Sequence, residues 1–190
     1  MYKFAAAALL LLAAQAAAAQ RPADADALIA AEKAAMAKLA YMDGVWRGPA
    51  WSITPAGRHE VTQTERIGPF LGGTVKVLEG RGYNADGSTG FNAFGTISYD
   101  PPKKVYVLHS YAQGHAGDFP LTVTDTGYVW EVPAGPGAVI RYTATVGNGA
   151  WREVGYYVAA AGGEPRQVFE MNLKRVGDTG WPAAGAIPPR

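Results

Sequence analysis

The chain of 190 residues contains no cysteine, only three histidines and almost no net charge. Without cysteine there is no disulfide, no thiolate zinc site, no thiol nucleophile and no lipidated cysteine at a mature N-terminus. Seventeen Lys and Arg against sixteen Asp and Glu leave a formal charge of +1. That balance supplies no excess positive charge to hold a phosphate backbone or an anionic bilayer, so no nucleic-acid partner is expected. His59, His109 and His115 lack metal-ligand spacing, and no metal site is expected. The sequence also has no nucleophile elbow, phosphate loop, dinucleotide fingerprint or His-Glu-x-x-His. Its glycine-rich stretches read as turns.

What is present begins with a targeting pattern. Lys3 is followed by an apolar run from Ala5 to Ala14 and by the small residues Ala17, Ala18 and Ala19. These are the three parts of a secretory signal peptide, expected over 1–19 with cleavage after Ala19. The apolar run is too short for the ~20 residues that span a bilayer. The mature protein is therefore expected to be periplasmic or secreted, without a stable membrane anchor.

Residues 20–43 form an Ala-rich segment in which Leu28, Ala31, Ala35 and Leu39 recur near helical spacing. Asp24 and Asp26 stand early, where they favour a helix N-terminus, so one amphipathic helix is predicted over Asp24 to Met42. Asp43-Gly44 ends it. From Gly44 the composition turns to aromatic and β-branched residues punctuated by Gly, Pro, Asn and Asp, and it stays so to residue 177. About ten strands are expected, starting near Val45, Arg58, Thr74, Gly90, Lys104, Phe119, Tyr128, Ala138, Ala150 and Gln167. Turns such as Ala85-Asp86-Gly87 and Gly147-Asn148-Gly149 are short enough to join antiparallel neighbours. A meander of this length either exposes two edges or closes on itself, and closure removes edges altogether. The fold class is therefore all-β: a helix followed by an up-and-down antiparallel barrel over 44–177. A Pro-rich tail, 178–190, has no assigned role.

Alternation along each strand assigns faces. Phe169, Met171 and Leu173 share one face, and Glu170, Asn172 and Lys174 the other, so the first set is expected to face the barrel. His59, Gln63 and Glu65 fall on the face of Val61 and Ile67; Glu79, Arg81 and Tyr83 on that of Val75 and Val77; His109 and Tyr111 on that of Val105 and Val107. Two readings stand for these polar residues. Either they are polar contacts on an apolar lumen wall, as ligand pockets use to fix orientation, or the faces are reversed and they are solvated. His109 is read as a candidate general base or as a core histidine held by a hydrogen bond. His115 is read as a loop residue and His59 as solvated. Trp51, Trp130, Trp151, Tyr142, Tyr156 and Tyr157 either line a pocket or pair across strands.

Gly44-Val45-Trp46, opening the first strand directly after a helix, resembles the Gly-x-Trp signature of lipocalin-like barrels. The resemblance implies that an Arg near the end of the last strand, here Arg175, packs over Trp46 and closes one end of the barrel by a cation–π contact. Three further segments, Gly68-Pro69-Phe70-Leu71-Gly72-Gly73, Gly95-Thr96-Ile97-Ser98-Tyr99-Asp100 and Lys104-Val105-Tyr106, resemble the DUF1579 family over roughly Leu39 to Val176. That family implies a lipocalin-type barrel without an assigned activity. Gly44-Val45-Trp46-Arg47-Gly48 is also similar to the start of nitrobindin-like haem barrels, whose last strand carries a haem-ligating His. Phe169-Glu170-Met171-Asn172-Leu173 has no His, Met171 is read as core, and no cofactor is expected.

These readings converge on an exported barrel that binds a small hydrophobic or amphipathic molecule. Gln63, Glu65, Glu79, Arg81, His109, Tyr111, Phe169 and Met171 are the candidate ligand contacts. The alternative is a barrel enzyme, an isomerase, cyclase or hydrolase, with His109 or Glu65 as base and Arg81 stabilising negative charge. A third reading is an interaction module marked by an uncovered apolar patch.

Overall fold

The computed structural model describes residues 24–182. The expected signal peptide and the end of the tail, 183–190, lie outside the described residues. Helix α1 occupies 24–37, and a 3₁₀ turn, Ala40–Met42, carries the chain to Asp43. Ten strands follow: β1 (Gly44–Thr54), β2 (Gly57–Phe70), β3 (Val75–Tyr83), β4 (Thr89–Asp100), β5 (Val105–Ala112), β6 (His115–Thr124), β7 (Gly127–Pro133), β8 (Val139–Gly147), β9 (Ala150–Val158) and β10 (Arg166–Gly177). Each pairs antiparallel with its sequence neighbours, and β1 closes the barrel by pairing with β10. A closed meander satisfies every ladder and leaves no edge.

The two ends of the barrel differ. At one end Ala35, Met36, Leu39 and Met42 are buried against Trp46, Ile67, Trp151 and Leu173, so the end of α1 and the 3₁₀ turn form a floor. The Tyr106 hydroxyl donates to the Ala35 carbonyl at 3.1 Å and the Tyr41 hydroxyl to the Gly127 carbonyl at 2.8 Å, tying that floor to the wall. Leu28, expected on the buried stripe, is 41% exposed. Only the last turns of α1 reach the barrel, so the apolar spacing of its first half meets no partner.

Trp46 is 1% exposed, and its indole N–H donates to the Met42 carbonyl at 2.9 Å. Arg175 stands opposite it in the β1–β10 register. The cation–π contact expected between them is replaced by hydrogen bonds: Arg175 donates from Nε and an Nη to the Asp43 carbonyl, at 3.2 and 3.1 Å, and pairs with Asp178. Gly44 makes this possible, because its φ is +135° and a Cβ there would lie 2.8 Å from the Arg175 guanidinium. Trp46 instead meets the ring of Trp151 edge-on at 5.6 Å. Nearby, the Lys76 ammonium is buried and held by the Asp43 carboxylate at 2.6 Å, fastening the floor to β3.

The inner faces of two strands are the reverse of the sequence expectation. On β3, Leu78 and Gly80 face inward, while Glu79 and Arg81 face outward. Lys76, Gly80 and Gly82 leave Leu78 as the one large apolar residue of the true inner face, so Val75 and Val77 imitate a core stripe. Val77 is indeed buried, but from outside, where the segment carrying Trp181 crosses its β2 partner Gly68. On β5, Leu108, Ser110 and Ala112 line the lumen, and Val107, His109 and Tyr111 face out. Both faces of this strand are apolar enough to mislead alternation.

Candidate functional site

The barrel encloses a cavity of about 530 Å³ that opens at the end away from α1. Of the predicted contacts, Gln63, Glu65, Phe169 and Met171 line it; Glu79, Arg81, His109 and Tyr111 do not. Its walls are mainly apolar and aromatic. Trp130 stacks on Tyr142 at 4.6 Å with their planes 17° apart, and Tyr142 meets Phe169 edge-on at 5.5 Å. Phe119 packs against Trp130 at 5.5 Å, with the two rings tilted by 60°. Thus Trp130, Trp151 and Tyr142 serve both the lumen and cross-strand packing. Trp51 lies under Arg58 and Tyr157 under Arg166, while Tyr156 is exposed.

Two carboxyl groups stand in this apolar surround. Glu153, on β9, accepts from the Tyr128 hydroxyl at 2.7 Å and from the Trp130 indole N–H at 2.9 Å. Burial raises its pKa, and these donors partly oppose the rise. The buried indole N–H of Trp151 lies beside the same carboxyl but makes no hydrogen bond. Glu65, on β2, accepts from the Gln63 amide at 2.7 Å through Oε1. Burial pushes its carboxyl up to about 8, partly opposed by Gln63 and reinforced by the charges of Glu153 and Glu79. That shift favours the protonated form of Glu65 at neutral pH. What remains of its accessible surface faces the cavity rather than bulk water.

Sequence reasoning missed Glu153, Tyr128 and the role of Trp151. The available signal was parity: Trp151, Glu153 and Gly155 share the face whose first member is too large and apolar to be left in water. His59 was read as solvated although alternation set it beside Gln63 and Glu65, and His115 was read as a loop residue. His59 bonds Asn84 Oδ1 at 2.9 Å and lines the lumen; His115 opens β6 and lines it too. The strand begins four residues earlier than expected because Gln113-Gly114 suffices as the turn.

On the outer wall, His109 joins two residues that the sequence did not bring together. Its Nε2 lies 2.9 Å from Ser98 Oγ and its Nδ1 2.7 Å from Asp118 Oδ1. This is the connectivity of an activated serine, but β5 lies between β4 and β6, and its N–H groups are taken up by the ladders. The relay thus has no backbone donor from β5 to stabilise an oxyanion, and it holds the imidazole in place. Glu79 is likewise an outer-face residue. Against the desolvation of its partial burial, hydrogen bonds from Arg66 and Arg81 hold its pKa below the ordinary value.

Among the described residues, no group of three or more His, Asp or Glu could hold a metal ion. The lumen-facing positions of β10 are Phe169, Met171 and Leu173, so that strand offers no imidazole to a haem. No helix among the described residues is long and apolar enough to cross a membrane.

Comparison with solved structures places the architecture. The chain is similar in fold to Rv2717c from M. tuberculosis. The two share 14% sequence identity and superpose with a TM-score of 0.56, covering 74% of this chain and 96% of that one. At that identity the likeness is one of fold alone. No family model and no curated protein sequence matches the chain.

Proposed function

We propose that this chain is an exported carrier that binds one small amphipathic molecule in its lumen, with the apolar body along the aromatic wall and the polar end at Glu65. One observation carries the reading. A connected cavity of about 530 Å³, floored at one end, is lined chiefly by apolar side chains around a small polar cluster. Ligand sites have this size and this division of labour, whereas a structural barrel fills its interior with side chains. Export is supported by the three-part signal pattern of residues 1–19.

The test is titration with N-phenyl-1-naphthylamine, an uncharged apolar fluorophore, read by energy transfer from the tryptophans. Saturable binding at one site, lost when Ala93→Trp fills the lumen, supports the carrier. Absence of binding, or binding unaffected by Ala93→Trp, contradicts it.

Catalysis is a second reading, favoured by one feature: a lumen carboxyl with its pKa near 8 exchanges protons readily at neutral pH. The version with His109 as base and Arg81 as cation is excluded by their position on the outer wall.

A further inference from the structure

We propose that the polar end of the ligand is a cation, an amine or quaternary ammonium group on an apolar body. This rests on the carrier reading and specifies its ligand class. Among the described residues, Glu65 and Glu153 are the only Asp, Glu, Lys or Arg side chains lining the cavity. The buried cation of the floor, Lys76, is already bound to Asp43 at 2.6 Å. The lumen imidazoles stand away from this pair: His59 is six residues from Glu65 along β2 and bonded to Asn84 Oδ1, and His115 opens β6. An anionic head group at Glu65 would thus enter a low-dielectric space beside two acids. A cationic head group would complete it.

The two acids differ in what they have left to offer. Glu153 has both oxygens engaged, Oε2 by Tyr128 and Oε1 by Trp130. Glu65 has one engaged, by Gln63, and its Oε2 accepts no hydrogen bond among the described residues. Glu65 is therefore the group with a free oxygen toward the cavity.

The adjoining wall suits the same head group. Trp130 both binds Glu153 and stacks on Tyr142, whose own hydroxyl feels the Glu153 charge. Aromatic faces beside a carboxylate hold an ammonium group by cation–π attraction, which strengthens when the site is dry. A bound cation also favours the ionised form of Glu65. The groups acting on that carboxyl are Gln63 on β2, Glu79 on β3 and Glu153 on β9.

The test displaces N-phenyl-1-naphthylamine at pH 7.5 with three ligands of one chain length: octyltrimethylammonium, octanol and octanoate. The ammonium is expected to compete about tenfold or more better than the alcohol, and octanoate worst. Glu65→Gln, close to isosteric, should abolish the preference for the ammonium while octanol still competes, which shows that the lumen is intact. Equal competition by all three, a preference for octanoate, or an ammonium preference retained in Glu65→Gln overturns the cation proposal and leaves the carrier standing. If the fluorophore itself does not bind, both readings fall.

Discussion

The carboxyl of Glu65 rests against the bare backbone of Gly80 on the neighbouring strand: a Cβ at Gly80 would lie 2.8 Å from Glu65 Oε1 and 3.0 Å from Oε2. The missing side chain is what gives the carboxyl its place in the lumen. Gly80→Ala should therefore displace Glu65 and cost about 1–3 kcal/mol through overpacking. Urea unfolding measures the cost, and competition by octyltrimethylammonium should fall toward the level of Glu65→Gln. An unchanged ligand preference would show that the carboxyl does not need this position.

Buried Glu65 also makes stability fall with rising pH. Its folded pKa of about 8 stands above the ordinary 4.5, so the folded chain keeps a proton that the unfolded chain releases. Stability should decline as pH rises from about 4.5 toward about 8 and level off above that range. Glu153, raised as well, acts with the same sign. Glu65→Gln should match the parent near pH 4 and exceed it above pH 8 by on the order of a few kcal/mol, measured by thermal unfolding across pH.

The floor of the barrel depends on the ion pair of Lys76 and Asp43. The Lys76 side chain is 3% exposed and that of Asp43 33%, so removing the carboxylate strands a buried ammonium. Asp43→Ala should destabilise by about 3 kcal/mol, and adding Lys76→Met should restore much of the loss. Chemical unfolding of the single and double variants separates the stranded charge from lost packing. A double variant no better than Asp43→Ala would assign the loss to packing.

His109 and Ser98 lie on the far side of the wall from the lumen. Ser98→Ala and His109→Ala should leave fluorophore binding within about twofold of the parent, as expected for sites that share no contact. Neither should change the hydrolysis of a p-nitrophenyl ester, since β5 offers the relay no oxyanion donor.

The comparison of sequence with structure separates what local pattern encodes from what pairing encodes. Nine of the ten strand starts follow the turn residues to within a residue, because Gly, Pro, Asn and Asp act locally. The faces of β2 and β10 were legible, since alternation sets Val61 and Ile67 on one side of the first and Phe169, Met171 and Leu173 on one side of the second. β3 and β5 were not, because Gly80 and Gly82 empty one inner face and Val107 enriches an outer one. Half of the predicted contacts therefore fell outside the wall. The link between Glu65 and Glu153 lay beyond local reasoning: it joins strands β2 and β9, which meet only across the lumen once β1 closes on β10. The same is true of the relay, where the β4–β5 and β5–β6 registers bring Ser98 and Asp118 to opposite sides of one imidazole.

The most direct measurement is native mass spectrometry of the protein purified from the organism that makes it, before and after denaturation and organic extraction. A reproducible added mass, released by extraction and carrying a basic nitrogen on an apolar frame, is the predicted result. An acidic ligand in the lumen would contradict the cation assignment, and a reproducibly empty barrel that also takes up no amphiphile in vitro would contradict the carrier itself.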